Sequence, residues 1–405
     1  MERKRLKIKF WILVSVLITL VSSLSVFLYR RFIKSDRSEY DTENYVSRNF
    51  IFNTDETWDD KEICTTTQNI EYVYYSHNNP LWEPNNKFGL YIYAEEKDFF
   101  EIAQKLVNSN GGEWGYVLIP YNVKDYDETK WARVFDQLIS KRLIPIVQLW
   151  NVDVDSYQEQ TRKAAEFLNK FIWPIKFRYI SVYNEPNDDK FWYGKADPEE
   201  YANILDYTIR IFKESNQDFY ILNGALNVSA SDSKESMDSF EFMKKMDESI
   251  PGIFEKLDGW ASHPYPQPNF SGSPYDTGRH SIFSYDNELK YLKGELGVEK
   301  DLPVFITETG WAHAEGENYN PSYFPVSKVA DYFRIAFEEV WLKDDRVRAV
   351  TPFTIRYDPP FDHFSWVNKD KVPYYHYDVV RDMEKVEGAP PVLSTGNVDI
   401  YNCSD

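Results

Sequence analysis

From Phe88 onward the chain alternates short apolar runs with amphipathic stretches of helical period, and it does so eight times. Runs that are apolar throughout need cover on both faces, which parallel strands receive from crossover helices. The strand candidates are Phe88 to Tyr93, Tyr116 to Ile119, Ile144 to Leu149, Tyr179 to Tyr183, Tyr220 to Asn223, Gly259 to Ser262, Val304 to Thr307 and Ala349 to Thr354. Between them, Phe99, Phe100, Ile102, Ala103, Leu106 and Val107 recur at helical spacing, as do Trp131, Val134, Phe135, Leu138 and Ile139. Asp197-Pro198-Glu199-Glu200 offers an N-cap, a first-turn proline and acids at the positive end of a helix, so a helix is expected to start there. A seventh helix is expected around Val329, Phe333, Ala336, Phe337 and Val340. Eight such units over roughly 300 residues predict an α/β fold of the (β/α)8 TIM-barrel type, with reactive groups at the carboxyl ends of the strands. The rival, an open doubly wound sheet, more often carries a glycine-rich first turn, and none follows Tyr93.

Two of these runs lead into a glutamate. Ile180-Ser181-Val182-Tyr183-Asn184-Glu185-Pro186 follows the fourth strand, and Pro303-Val304-Phe305-Ile306-Thr307-Glu308-Thr309-Gly310-Trp311 ends the seventh. In a barrel both would overhang one mouth despite their separation along the chain. Breaking a glycosidic bond needs that arrangement: one carboxyl protonates the departing oxygen while the second attacks or stabilises the anomeric carbon. The bland reading is that each is a solvated loop acid among the 65 Asp and Glu.

With these motifs the sequence resembles glycoside hydrolase clan A, the retaining β-glycosidases built on this barrel, with features of families 5, 39 and 53. Tyr183-Asn184-Glu185-Pro186 matches the clan's Asn-Glu-Pro motif, and Ile306-Thr307-Glu308-Thr309-Gly310-Trp311 looks like its nucleophile motif. The resemblance implies Glu185 as general acid/base, Glu308 as nucleophile, and Asn184 as the partner of the sugar 2-hydroxyl. It also implies that His263 or Tyr265, in His263-Pro264-Tyr265 at the end of the sixth strand, orients Glu308. Retaining acids sit about 5 Å apart, so an ionised Glu308 is expected to raise the pKa of Glu185. The sequence departs from the clan's pattern at two places: Pro120-Tyr121-Asn122 follows the second strand where an arginine is common, and Ile355-Arg356-Tyr357 follows the eighth in place of a tryptophan. Arg356 is expected to hold a carboxylate or to pair with a rim acid. Trp150, Trp192, Trp311 and Trp366 fall in mouth-side loops, where rings either stack on sugars or only pack.

No cofactor is expected, because no Cys/His cluster has zinc-like spacing and no phosphate-cradling glycine loop occurs. Ser181 and Ser262 lack the Gly-x-Ser-x-Gly elbow of serine hydrolases. The net charge of -19 disfavours nucleic acid as a partner.

Upstream, residues 10–29 form an uncharged apolar run long enough to cross a lipid bilayer, preceded by Arg3, Lys4, Arg5, Lys7 and Lys9. The organisation read from the sequence is therefore a cytoplasmic stub and transmembrane signal anchor at 1–34, a polar irregular stalk leaning on the barrel at 35–86, the barrel at 87–385, and a C-terminal tail at 386–405. A cleaved secretory signal is the alternative for the first segment; either way the catalytic domain is expected outside the cytoplasm. Cys64 and Cys403 flank the barrel and are open to pairing in an oxidising compartment. The expected activity is that of a retaining β-glycosidase acting on a β-linked polysaccharide or surface glycan by double displacement. The alternatives are a transglycosylase using the same residues and a catalytically silent glycan-binding barrel.

Overall fold

Strands β1 (Gly89–Tyr91), β2 (Gly115–Asn122), β3 (Leu143–Trp150), β4 (Arg178–Ser181) and β5 (Phe219–Leu222) form one parallel sheet in a computed structural model that describes residues 65–68, 83–192, 195–390 and 398–401. Strands β6 (Trp260–Ser262), β7 (Val304–Ile306) and β8 (Val347–Val350) form a second. Parallel bridges Leu222 to Gly259 and Phe88 to Val350 join the two sheets at both edges, which closes an eight-stranded barrel. Helices follow every strand: α1 (Lys97–Val107), α2 (Glu128–Ser140), α3 (Tyr157–Asn169), α4 (Pro198–Ser215), α5 (Ser239–Ser249), α6 (Ser284–Gly294), α7 (Val326–Ile335) and α8 (Tyr375–Arg381). Helix α7 runs on into a π-helical turn, Ala336–Trp341.

Local chemistry accounts for these elements. Asp197 caps α4 by accepting from the amides of Glu199 and Glu200, and Pro198 occupies its first turn. Helix α1 buries Phe99, Phe100, Ala103, Leu106 and Val107 against the strands. The barrel interior is filled largely by rings: Tyr179 lies 4.9 Å from Phe305, 5.2 Å from Tyr220 and 6.4 Å from Tyr116, measured between centroids. Much of the high aromatic content is therefore spent on the core, Trp131, Trp173, Trp260 and Trp341 included.

The floor is sealed by polar groups. Tyr116 donates to Asn85 Oδ1, Asn85 donates to the Arg348 carbonyl, and the buried Arg348 guanidinium reaches Glu83. On the same face the two ends of the barrel are sewn together: Ala389 N–H donates to Pro84 O, Glu113 and Trp114 donate to Glu387 O, and Lys385 N–H donates to Asn110 O. The Lys385 ammonium caps the end of α8 through the carbonyls of Val380, Arg381 and Met383.

All eight expected strands are present, with shifted ends. The fourth stops at Ser181 instead of Tyr183, because Tyr183 turns into the left-handed region at φ 72°. The eighth is Val347–Val350 instead of Ala349 to Thr354, since the chain leaves the sheet at Thr351 to build the mouth. Thr65–Gln68 pairs antiparallel with Val398–Tyr401, Thr65 facing Tyr401. The expected membrane segment at 10–29, the stalk up to residue 64, the short strands expected at Ile51-Phe52 and Tyr72 to Tyr75, and both Cys64 and Cys403 lie outside the described residues. Among the described residues no helix is long and apolar enough to cross a membrane.

Candidate active site

Glu185 is presented by a strained turn just past β4. Tyr183 and Glu185 both take left-handed backbone conformations, φ 72° and 41°, which non-glycine residues adopt at a cost of about 1–3 kcal/mol each. The surroundings hold that turn in place. Glu185 N–H donates to Ala225 O at 3.0 Å, and Tyr201 from α4 donates to Val182 O while accepting from the Gly224 amide. Gly224 is required there, because a Cβ would lie 2.5 Å from Val182 O. Asn187, fully buried, donates to the carbonyls of Asn227 and Met237 and accepts from the Asn227 amide, so the loop after Glu185 is locked to the loop after β5.

Glu308 follows β7. The Thr307 amide bonds to Ser262 O, Thr309 Oγ1 donates to Pro264 O, and the Phe353 amide bonds to Thr309 O, so both neighbouring strands grip the turn. Gly310, at φ 150°, completes the exit.

The two carboxylates meet around one imidazole. His263, at the end of β6 and 1% exposed, places Nδ1 3.0 Å from Glu185 Oε1 and Nε2 3.8 Å from Glu308 Oε1. Tyr265 donates its hydroxyl to Glu308 Oε2 at 3.0 Å. The sequence expectation that His263 or Tyr265 orients Glu308 thus divides: Tyr265 holds Glu308, while His263 bonds Glu185 from across the mouth. Asn184, half-buried, accepts from Gln148 Nε2 at 3.1 Å.

Burial sets the protonation states. It pushes Glu185 up to about 8, reinforced by the Asp188 carboxylate and opposed by Lys190. It pushes Glu308 up to about 7; His263 and the Tyr265 hydroxyl oppose that rise and Glu185 adds to it. Desolvation is therefore the leading cause for Glu185, where the sequence reasoning expected the neighbouring charge of Glu308. Burial also lowers the pKa of His263, against the pull of Glu308, which keeps the imidazole neutral. Behind β6 a third buried acid, Glu288 of α6, accepts from Trp260 Nε1 and Ser262 Oγ, and burial pushes it to about 7.

The tryptophans separate into two groups. Trp192 is buried against Tyr183 and Tyr201, Trp311 donates to Gly272 O, and Trp366 packs on Phe333 and His376. Only Trp150 of the four is half-buried. Rings that the sequence did not single out line the mouth instead: Tyr91 at the end of β1, Tyr93 just past it, and Phe353 and Tyr357 beyond β8, with Tyr91 5.2 Å and Tyr357 5.5 Å from Phe353. The alternation of Tyr91 and Tyr93 with Leu90 and Ile92 along the first strand run was the available signal. Arg356 pairs with Asp358 at 2.9 Å. Among the described residues no group of three or more His, Cys, Asp or Glu side chains is arranged to hold a metal ion.

No protein-family model and no curated protein matches the sequence. The fold is similar to those of solved structures. A monomeric beta-xylosidase from Caulobacter crescentus CB15 superposes with a TM-score of 0.51 at 15% identity, covering 73% of this chain and 67% of that one. A glucosidase from Croceicoccus marinus does so with a TM-score of 0.51 at 11% identity, covering 74% and 67%. At such identities the likeness is one of fold, the mixed α/β architecture with parallel strands covered by helices.

Proposed function

We propose that this chain is a glycoside hydrolase that cleaves β-linked glycans with retention of configuration, Glu185 acting as general acid/base and Glu308 as nucleophile. The observation that carries this reading is the convergence of two buried carboxyls, from β4 and β7, on opposite nitrogens of the His263 ring. A binding module has no use for such a pair. Burial raises the proton affinity of both carboxyls, so a protonated acid is available at this site near neutral pH.

In the first step the Glu308 carboxylate attacks the anomeric carbon, the bond to the departing oxygen breaks, and the Glu185 proton passes to that oxygen. With His263 Nδ1–H donating to Glu185 Oε1, the transferable proton rides on Oε2. Glu308 is then neutralised as an ester. In the second step Glu185 takes a proton from water, the resulting hydroxyl attacks the same carbon, and Glu308 leaves as a carboxylate. Asn184, steadied by Gln148, offers its amide to the sugar hydroxyl beside the reacting carbon. The apolar run at 10–29 serves in this reading as a signal anchor that keeps the barrel on the extracytoplasmic side of a bilayer.

Incubating the full chain with 2-fluoro aryl β-glycosides tests the assignment. A mass increase of one fluoro-sugar on the peptide carrying Glu308, absent in Glu308→Gln, is the expected result. Hydrolysis of ordinary aryl glycosides with inverted products and no adduct would refute it.

A further inference from the structure

The rim of the mouth is uneven. Five or six residues join β1 to α1 (92–96), β2 to α2 (123–127) and β3 to α3 (151–156). By contrast, 182–197, 223–238, 263–283, 307–325 and 351–374 follow β4 through β8, each at least 16 residues long. Those long segments fold on one another into a wall. Phe270 packs on Tyr265 and Phe364, Phe364 lies 6.0 Å from Phe353, and Trp311 pins the β6 segment through Gly272 O. The mouth is thus walled by the segments that follow β4 to β8 and low over β1, β2 and β3.

The low side is not bare. Gln148, Trp150 and, by register, Asn122 share one face: Gln148 and Trp150 are two apart in β3, and Asn122 pairs with Trp150 across the β2–β3 ladder. Gln148 reaches Asn184 beside Glu185, so this face points into the mouth. Trp150, Asn122 and Asn151 are all half-buried. Asn151 Nδ2 donates to Asn122 Oδ1 at 3.2 Å, which fixes both amides and leaves Asn151 Oδ1 and Asn122 Nδ2 without a hydrogen-bond partner among the described residues. Asn151 holds this position in a left-handed conformation, φ 61°. A ring edged by an unspent acceptor and an unspent donor is the chemistry that receives a pyranose, whose face is apolar and whose rim is hydroxyl.

We propose that the β2–β3 side of the mouth is a further sugar-binding surface, with the Trp150 indole under a pyranose and Asn122 and Asn151 on its hydroxyls, so that the substrate is an extended β-linked glycan of three or more neutral sugars. This deepens the hydrolase reading and rests on it. Amides and a ring, instead of cations, make the surface suited to neutral sugars. The sugar bound there lies on the low side because the wall blocks extension in the other directions.

The test compares kcat/KM of the full chain on single-sugar aryl β-glycosides with that on β-1,4-linked xylo- and gluco-oligosaccharides of two to six sugars. Wild-type kcat/KM is expected to rise at least tenfold between two and five sugars. Losing one stacked ring weakens analogous ring contacts about five- to 150-fold. Trp150→Ala should therefore cut the ratio of pentasaccharide to aryl-glycoside kcat/KM by tenfold or more, with Trp150→Phe recovering part of it. Asn151→Gly, which keeps the left-handed backbone, should cut the same ratio several-fold in a chain whose thermal midpoint reports whether it has folded. Aryl-glycoside turnover with no gain from chain length, or with the ratio unmoved in both variants, overturns this inference and leaves the hydrolase reading standing. Absence of turnover on every substrate, together with no oligosaccharide binding to Glu308→Gln by calorimetry, overturns both.

Discussion

Replacing Glu185 by glutamine should remove a large part of the pH dependence of this protein's stability. In the folded chain burial holds the Glu185 proton up to about 8, against an ordinary value of 4.5. Between those two values the folded state binds more protons than the unfolded one. The contribution is therefore full below about pH 4.5 and is lost as pH rises toward 8. At 1.36 kcal/mol per unit, that separation is on the order of 5 kcal/mol. Glutamine keeps an oxygen for His263 Nδ1 and has no proton to release. Urea unfolding of wild type and Glu185→Gln at pH 5, 6, 7 and 8 measures the effect. The stability of the variant relative to wild type should climb by several kcal/mol across the series. Glu288 and Glu308, both pushed to about 7, add slopes in both proteins, so the difference between the two curves is the diagnostic quantity. Curves that run parallel within about 1 kcal/mol would mean that Glu185 is ionised in the folded chain at neutral pH, and its role as an acid would fall with that.

Three further outcomes follow from the same contacts. Tyr265→Phe removes a donor that stabilises the Glu308 carboxylate, so the acid limb of the kcat/KM profile should move to higher pH by roughly half a unit to one unit; an unmoved limb would show that the hydrogen bond does not tune Glu308. Glu288→Ala strands the buried Trp260 N–H and Ser262 hydroxyl and should cost about 2–4 kcal/mol in chemical denaturation, with Glu288→Gln recovering much of it. Gly224→Ala drives a methyl into Val182 O, so activity should fall at least tenfold through displacement of the Glu185 turn while far-UV circular dichroism stays native; full activity would show that the turn tolerates the shift.

The eight strands were legible because each is buried on both faces and so reads as a near-continuous apolar run, as in Tyr116 to Ile119. Glu185 and Glu308 were legible for a related reason: a charged residue placed where such a run meets a turn stands out. What the mouth does with its rings was not. An indole in a loop reads the same whether it packs or binds, and only the fold shows Trp192, Trp311 and Trp366 turned inward with Trp150 left half-buried. Gln148 was hidden inside an apolar strand, and its meaning depends on Asn184, 36 positions later. The bond from His263 to Glu185 was also out of reach, because it spans strands that are not neighbours in the barrel. Arg348 was invisible as a floor plug because its partners Glu83 and Asn85 lie at the other end of the barrel sequence.

The stitch between Pro84 and Ala389 decides how anything can be attached to this barrel. Polypeptide arrives and departs side by side, beneath the strands, on the pole opposite the glutamates. A leash fastened at either terminus therefore pulls from underneath and leaves the opening free to sweep outward, while a fusion partner joined at residue 83 or 390 stays clear of an arriving polymer. Breaking that stitch would loosen the barrel where its two ends are tied, before the turns that carry Glu185 and Glu308 are disturbed.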